Sequence, residues 1–184
     1  AQARLITALQ DHGRPFARVA RRVAAIDRAA KTMIVMLTVD AGPPASFGPV
    51  AIDGLARLDP AFVRGKIPWR EGERFDRSKL DALRTRLLGL GLFRSVKVTP
   101  ADAAGPDGAL PVSVALAEAK HRSVGAGAAF STSEGFLLDA FWEHRNLLGA
   151  AEKLRVSAQA GTFSQRMVAD FRKPDFRRPG QDLL

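Results

Sequence analysis

From Ser123 to Arg172 the sequence alternates between two kinds of side chain at every step. Period two fixes an extended chain, because successive side chains of a strand leave opposite faces. Val124, Ala126, Ala128 and Phe130 share one face of the first run, against Gly125, Gly127, Ala129 and Ser131. Phe136, Leu138, Ala140 and Trp142 share a face of the second, against Leu137, Asp139, Phe141 and Glu143. Leu154, Val156, Ala158 and Ala160 oppose Lys153, Arg155, Ser157, Gln159 and Gly161 in the third. In the fourth, Met167, Ala169 and Phe171 oppose Arg166, Val168, Asp170 and Arg172. The spacing predicts four successive strands joined at Thr132–Gly135, Arg145–Gly149 and Gly161–Thr162.

One face of that meander carries no charge over four strands, while the other holds most of the charge. A strand of about nine or ten residues, tilted by ~45°, rises about 20–25 Å, close to the apolar band of a membrane barrel. Half of a water-soluble β-sandwich, with the apolar face packed on a second sheet, also satisfies the alternation. The strand length and the charge-free face favour the barrel. About eight strands are the practical minimum for closure, so the remaining strands are expected beyond Leu184. Alone, the four strands would expose a contiguous apolar face with Phe130, Leu138, Trp142, Val156 and Phe171, which calls for self-association or another cover.

Upstream the period changes. Phe47–Gly54 reads as a short strand with Val50 and Ile52 on one face. Asp59 caps a short helix with Pro60 at its first position, and Pro68 stops it. Asp76 caps a longer helix with Leu80, Leu83, Leu87 and Leu90 on one face and Arg77, Lys79, Asp81, Arg84 and Arg86 on the other. Gly91 suits the left-handed C-terminal cap, with Phe93 folding back on the leucines. Ser95–Thr99 and Leu110–Glu118 are strands, separated by the turn Gly105-Pro106-Asp107-Gly108. The order is strand–helix–helix–strand–strand.

The same pattern occurs earlier. Leu5, Leu9, Gly13, Phe16 and Val19 precede Leu83, Leu87, Gly91, Phe93 and Val96 by 77 or 78 positions, and Val35, Leu37 and Val39 precede Val112, Val114 and Leu116 by 77. A repeat whose first copy lacks its front half follows. The chain starts without Met and stops in a turn, so it is expected to be an excerpt of a longer protein.

Several chemistries are excluded. There is no cysteine, hence no disulfide or thiolate chemistry. His12, His121 and His144 lack metal-ligand spacing. No G-x-S-x-G elbow occurs, and Gly125-x-Gly127 lacks the third glycine of a dinucleotide loop. No catalytic residue, metal or cofactor is expected. Lys and Arg outnumber Asp and Glu by 28 to 19, for a net charge of +9. That charge is spread along the chain and not gathered in a stripe, so a nucleic-acid partner is not expected.

The strand–helix–helix–strand–strand repeat, with Leu87-Leu88-Gly89-Leu90-Gly91-Leu92-Phe93 running into Ser95-Val96-Lys97-Val98, resembles a POTRA domain. Followed by Val124-Gly125-Ala126-Gly127 and a β-meander, it resembles the BamA/TamA superfamily of outer-membrane assembly proteins. Asn146-Leu147-Leu148-Gly149 resembles that family's turn between early barrel strands, and Phe171-Arg172-Lys173-Pro174-Asp175-Phe176 resembles the TamA branch.

The resemblance implies an α+β chain: residues 1–41 as the end of a preceding POTRA domain, 42–120 as a complete one, and 121–184 as the first strands of a 16-stranded-type outer-membrane barrel. It implies the bacterial outer membrane, POTRA domains in the periplasm, and no enzymatic activity. Implied partners are unfolded outer-membrane protein and autotransporter clients, outer-membrane lipid, and an inner-membrane-anchored TamB-like protein. Client pairing is expected along the edge strand Ser95, Val96, Lys97, Val98 and Thr99, with Arg94 beside it. A second client position is expected along the barrel seam, Val124, Gly125, Ala126, Gly127 and Ala128, where glycine weakens the strand. Phe130, Phe136, Leu138, Trp142, Val156 and Phe171 are expected to face lipid. The alternative reading is a soluble periplasmic peptide-binding adaptor built from a βααββ domain and a β-sandwich.

Overall fold

A computed structural model describes residues 2–28, 31–133, 135–178 and 181–183. Glu134 of the first expected turn, and Pro179, Gly180 and Leu184 of the terminal run, lie outside the described residues. The elements are α1 (Gln2–Asp11), β1 (Arg18–Asp27), β2 (Thr32–Asp40), β3 (Ser46–Asp53), α2 (Pro60–Arg64), α3 (Arg77–Gly89), β4 (Phe93–Pro100), β5 (Ala109–Glu118), β6 (Arg122–Ser131), β7 (Gly135–His144), β8 (Lys153–Gly161) and β9 (Gln165–Arg172). They form an antiparallel hairpin β1-β2, a three-stranded sheet β3-β5-β4 and a four-stranded sheet β6-β7-β8-β9. The chain divides into two compact units, residues 1–53, 67–85 and 97–115, and residues 54–66, 86–96 and 116–184.

In the first unit, β3 runs parallel to β5, with Phe47 opposite Leu110 and Val50 opposite Val112. β5 alternates in burial as its sequence alternates: Leu110, Val112 and Val114 are buried while Pro111, Ser113 and Ala115 are exposed. Phe47 is fully enclosed, stacked on Trp69 with ring centroids 4.5 Å apart and tilted against Phe75 at 5.1 Å. Buried aromatics of this size supply a large share of a small core's hydrophobic stabilisation, roughly 1.5–3 kcal/mol per side chain by area. Leu80 and Leu83 of α3 are buried, as their spacing predicts. Asp76 caps α3 by accepting from the Ser78 N–H at 2.9 Å. α1 leads into the β1-β2 hairpin, the same helix–strand–strand order as α3-β4-β5. The hairpin leaves Ile26, Met33, Ile34 and Met36 exposed.

In the second unit, Asp59 accepts from the Ala61 N–H at 2.8 Å and starts α2, with Pro60 at its first turn. Gly91, at φ 68°, supplies the left-handed residue that ends the α3 segment. Leu87, Leu92, Phe93 and Val96 are buried.

The four-stranded sheet of this unit is antiparallel and in register throughout. Val124 stands opposite Trp142, Trp142 opposite Val156, and Val156 opposite Ala169. Ala126, Ala140, Ala158 and Met167 form the next row. The period of two and the register together place every apolar residue of the alternating set on one face. Among the described residues that face is exposed: Val124 is 77% exposed, Phe130 63% and Leu138 56%. Phe130 and Phe136 meet across the β6-β7 end with centroids 4.8 Å apart.

Two features extend the sequence reading. β6 begins one residue earlier than Ser123, so Arg122 joins the apolar face at the foot of the row that runs through His144, Leu154 and Phe171. The β7-β8 connection is longer than Arg145–Gly149 and reaches Glu152, because polar side chains inside it organise a folded turn.

Candidate functional site

Three places carry the features a binding protein would use: the edge of the three-stranded sheet, the edge and apolar face of the meander, and the polar junction below β6. β4 lies at an edge of the order β3-β5-β4. Along it Ser95, Lys97 and Thr99 are exposed, Val98 is half-buried and Val96 is buried. The partner on its other side is β5, marked by the Ala119 N–H donating to the Leu92 carbonyl at 2.8 Å and the Ala101 N–H to the Pro111 carbonyl at 2.9 Å. The free edge therefore offers backbone groups flanked by Arg94 and Lys97, both exposed. An unpaired edge can accept an extended chain by main-chain hydrogen bonds.

β6 is likewise an edge, at one end of β6-β7-β8-β9. Val124, Ala126 and Ala128 lie on the apolar face, and Gly125 and Gly127 on the other. The glycines meet specific neighbours. A Cβ on Gly125 would stand 2.4 Å from the Phe141 ring, and one on Gly127 would stand 2.6 Å from Asp139 Oδ1. Phe141 in turn lies under Arg155, whose guanidinium carbon is 4.1 Å from the ring centroid. Glycine in this strand thus makes room for cross-strand side chains on the polar face, in addition to weakening the strand.

On the apolar face Phe136 is exposed, Trp142 and Phe171 sit at the margin of exposure, and Val156 is half-buried. On the polar face Glu143 is enclosed, its side chain 8% exposed. Arg145 Nε donates to it at 2.8 Å, Lys153 Nζ lies at 2.9 Å and Arg155 Nη1 at 3.4 Å. The two faces therefore differ as oil and brine do.

Below β6 the junction is polar and ordered. Glu118, at the end of β5, accepts the backbone N–H groups of Ala56, Arg57 and Leu58 at 2.8, 3.0 and 3.1 Å. Burial raises the proton affinity of this carboxyl, but the three amides and the nearby His121 outweigh it and hold the pKa below the ordinary carboxylate range. His121 Nε2 lies 3.6 Å from Glu118 Oε2.

The loop thus fixed meets the β7-β8 turn. Asn146 Nδ2 donates to the Arg57 carbonyl at 3.3 Å and Asn146 Oδ1 accepts from the Ala151 N–H at 3.1 Å. The Asp59 N–H donates to the Gly149 carbonyl at 3.2 Å. Glu152, buried, accepts from the Ala150 and Leu148 N–H groups at 3.0 and 3.3 Å. Beside α2, Lys66 pairs with Asp175 and lies 4.7 Å from the Phe62 ring centroid. Burial first, and then Arg86, hold that ammonium below the usual lysine range.

The sequence reading singled out both strand edges and the apolar face, and the register brings the apolar residues together. It did not find Glu118, Asn146 and Glu152 as a group. The signal available was weak: a carboxylate at a strand end and two polar residues in a connection that otherwise reads Leu-Leu-Gly-Ala-Ala.

Residues 45–118 match the POTRA family, described as the surface antigen variable number repeat. Among solved structures, BamA from Haemophilus ducreyi lacking POTRA domains 1–3 superposes with a TM-score of 0.85 at 19% identity, covering 98% of this chain and 34% of that one. CdiB from Escherichia coli superposes at a TM-score of 0.57 and 14% identity, covering 97% of this chain and 33% of that one. POTRA3–5 of Haemophilus influenzae BamA gives 0.55 at 22% identity, over 64% of this chain and 46% of that one. The chain spans about a third of the length of the BamA structure it matches along almost all of its own. Residues 45–118 thus match the POTRA family model, and the fold of the chain, a POTRA-like region followed by an open antiparallel sheet, is like that of the BamA structure.

Proposed function

We propose that this chain is the passage from POTRA domain to barrel in an outer-membrane assembly and secretion protein, and that it handles unfolded clients at two strand edges. Residues 1–41 are the end of a preceding POTRA domain, 42–120 a complete one in the periplasm, and 121–184 the first strands of a 16-stranded-type barrel in the bacterial outer membrane. An extended client segment pairs along Ser95–Thr99 on β4, and a client strand pairs with Val124–Ala128 on β6. Phe130, Phe136, Leu138, Trp142, Val156 and Phe171 meet lipid hydrocarbon. The clients are β-barrel or autotransporter chains, and a TamB-like protein anchored in the inner membrane is the candidate periplasmic partner.

The observation that carries this reading is the coexistence, in one short chain, of two sheets that each end in an edge strand and a sheet face whose one charge, Arg122, stands at its foot and whose apolar residues are exposed among the described residues. Edge pairing reads backbone and not side chains, which suits a protein that must accept many client sequences. The barrel reading explains the uncovered face, since lipid supplies the missing apolar neighbour.

Site-specific photo-cross-linking tests it. In the full-length protein, a cross-linker at Ala126, Ala128 or Lys97 is expected to capture nascent outer-membrane clients. Capture from Asp53 or Thr162 but never from these three positions would contradict it.

A further inference from the structure

Immediately below β6 lies a cavity of about 600 Å³ lined by Arg57, Arg94, Glu118, Lys120, His121 and Arg122. Its charge is unbalanced, with four permanent cations against one carboxylate. That carboxylate is already committed to the amides of residues 56–58. Among the described residues no carboxylate lies within ion-pair distance of Arg57, Arg94, Lys120 or Arg122. Arg94 is held in place by donating from Nε to the Glu118 carbonyl at 3.1 Å. A second observation also points to a ligand. The His121 side chain is 2% exposed and lines this cavity, and its Nε2 makes no hydrogen bond, the Glu118 Oε2 that faces it standing 3.6 Å away, beyond hydrogen-bond reach. Buried polar atoms without a hydrogen bond are uncommon and costly, so such a nitrogen beside guanidinium groups that have no carboxylate of their own favours an acceptor-rich, anionic visitor.

The position says which anion. Arg122 is on the same face as Val124, because residues two apart in a strand share a face. It therefore stands at the foot of the apolar stripe that includes Val124, Ala126 and Ala128. An anion seated there has its charge among the guanidinium groups and anything attached to it along hydrocarbon-compatible side chains. That is the layout of a phospholipid, and a free phosphate would leave the stripe unused.

We propose that this cavity binds the phosphodiester headgroup of an anionic phospholipid, with the acyl chains lying along the Val124–Ala128 face of β6. The inference rests on the reading of β6–β9 as barrel strands. Arg122 and Lys120 contact the phosphate, Arg94 and Arg57 complete the positive wall, and His121 supplies a ring N–H from within. A lipid held there would sit beside the proposed seam strand and shield its free edge.

The test uses the full-length protein in nanodiscs of phosphatidylcholine with or without phosphatidylglycerol, with co-purifying lipid counted by native mass spectrometry. Retained phosphatidylglycerol is expected to fall about tenfold or more in Arg122→Ala/Lys120→Ala, as loss of charge-assisted hydrogen bonds implies. It should persist in Arg122→Lys and in Arg64→Ala, an exposed cation of α2. Equal retention by wild type and the double variant, both inserted in discs, would overturn the site and leave the barrel reading intact. Displacement of the retained lipid by soluble glycerol phosphate at matched concentration would overturn the lipid assignment. Failure of the wild-type protein to enter discs at all would overturn the barrel reading, and this inference with it.

Discussion

Phe141 lies directly across from Gly125 in the β6-β7 pair, and its ring occupies the space a Gly125 side chain would need. The contact sets the cost of changing either residue. A Cβ would stand 2.4 Å from the ring, so Gly125→Val must displace an aromatic that is itself held under Arg155. Overpacking of this kind costs roughly 1–3 kcal/mol. We predict a lower midpoint for heat-induced loss of the folded, heat-modifiable band in Gly125→Val, and recovery of most of it in Gly125→Val/Phe141→Ala. Additive losses in the double variant would show that the two positions do not share space.

The Glu118 carboxylate makes the junction acid-sensitive. Its pKa is depressed in the folded chain, so its contribution is present above the unfolded value of about 4.5 and is lost as pH falls through the lower folded value. Hydrogen bonds to a charged group contribute about 1.5–3 kcal/mol each way of reckoning, less what solvent already supplies. Protease cleavage in the 55–59 loop should therefore increase as pH drops below 4.5. Glu118→Gln should be cleaved faster at neutral pH and should flatten that acid response. A Glu118→Gln profile parallel to wild type across the acid range would refute the assignment.

Asn146 joins the β7-β8 turn to the loop before α2. Asn146→Ala leaves the Arg57 carbonyl and the Ala151 N–H without their side-chain partner, at a cost of about 1–3 kcal/mol for enclosed groups. Hydrogen exchange is expected to accelerate together at residues 56–59 and 147–152. Faster exchange in the turn alone would mean that the two segments are held independently.

Glu143 gathers three cations on the polar face. Removing its charge with Glu143→Gln leaves Arg145, Lys153 and Arg155 close together, and because those cations are partly solvated the loss is about 1–3 kcal/mol. Chemical denaturation in detergent should show the loss at low salt and a smaller one at high salt, as screening relieves the repulsion. A loss independent of salt would point to packing and not to charge.

The faces of the meander were readable because period two needs only nearest neighbours. Val124, Trp142, Val156 and Ala169 were each assigned to the apolar face from their own strand, and antiparallel register then aligned them. Asp59 and Asp76 were readable as caps for the same reason, since a cap bonds amides two residues away. Glu118 was not readable, because the amides it accepts lie about sixty positions earlier and no local spacing marks them. Asn146 is an extreme of the same kind, its acceptor on Arg57 being set by the fold alone. The alternating run reads as beginning at Ser123, and only pairing with His144 makes Arg122 the first residue of β6.

The central claim is that the even-numbered face of β6 and β7 touches lipid hydrocarbon. Nitroxide labels at Leu138 and Asp139, adjacent in β7 and on opposite faces, test it in the full-length protein in bilayers. At Leu138 the account predicts high collision with oxygen and low collision with a water-soluble nickel chelate, and the reverse ordering at Asp139. A Leu138 label that meets the nickel chelate freely, or that neither quencher reaches, would contradict it.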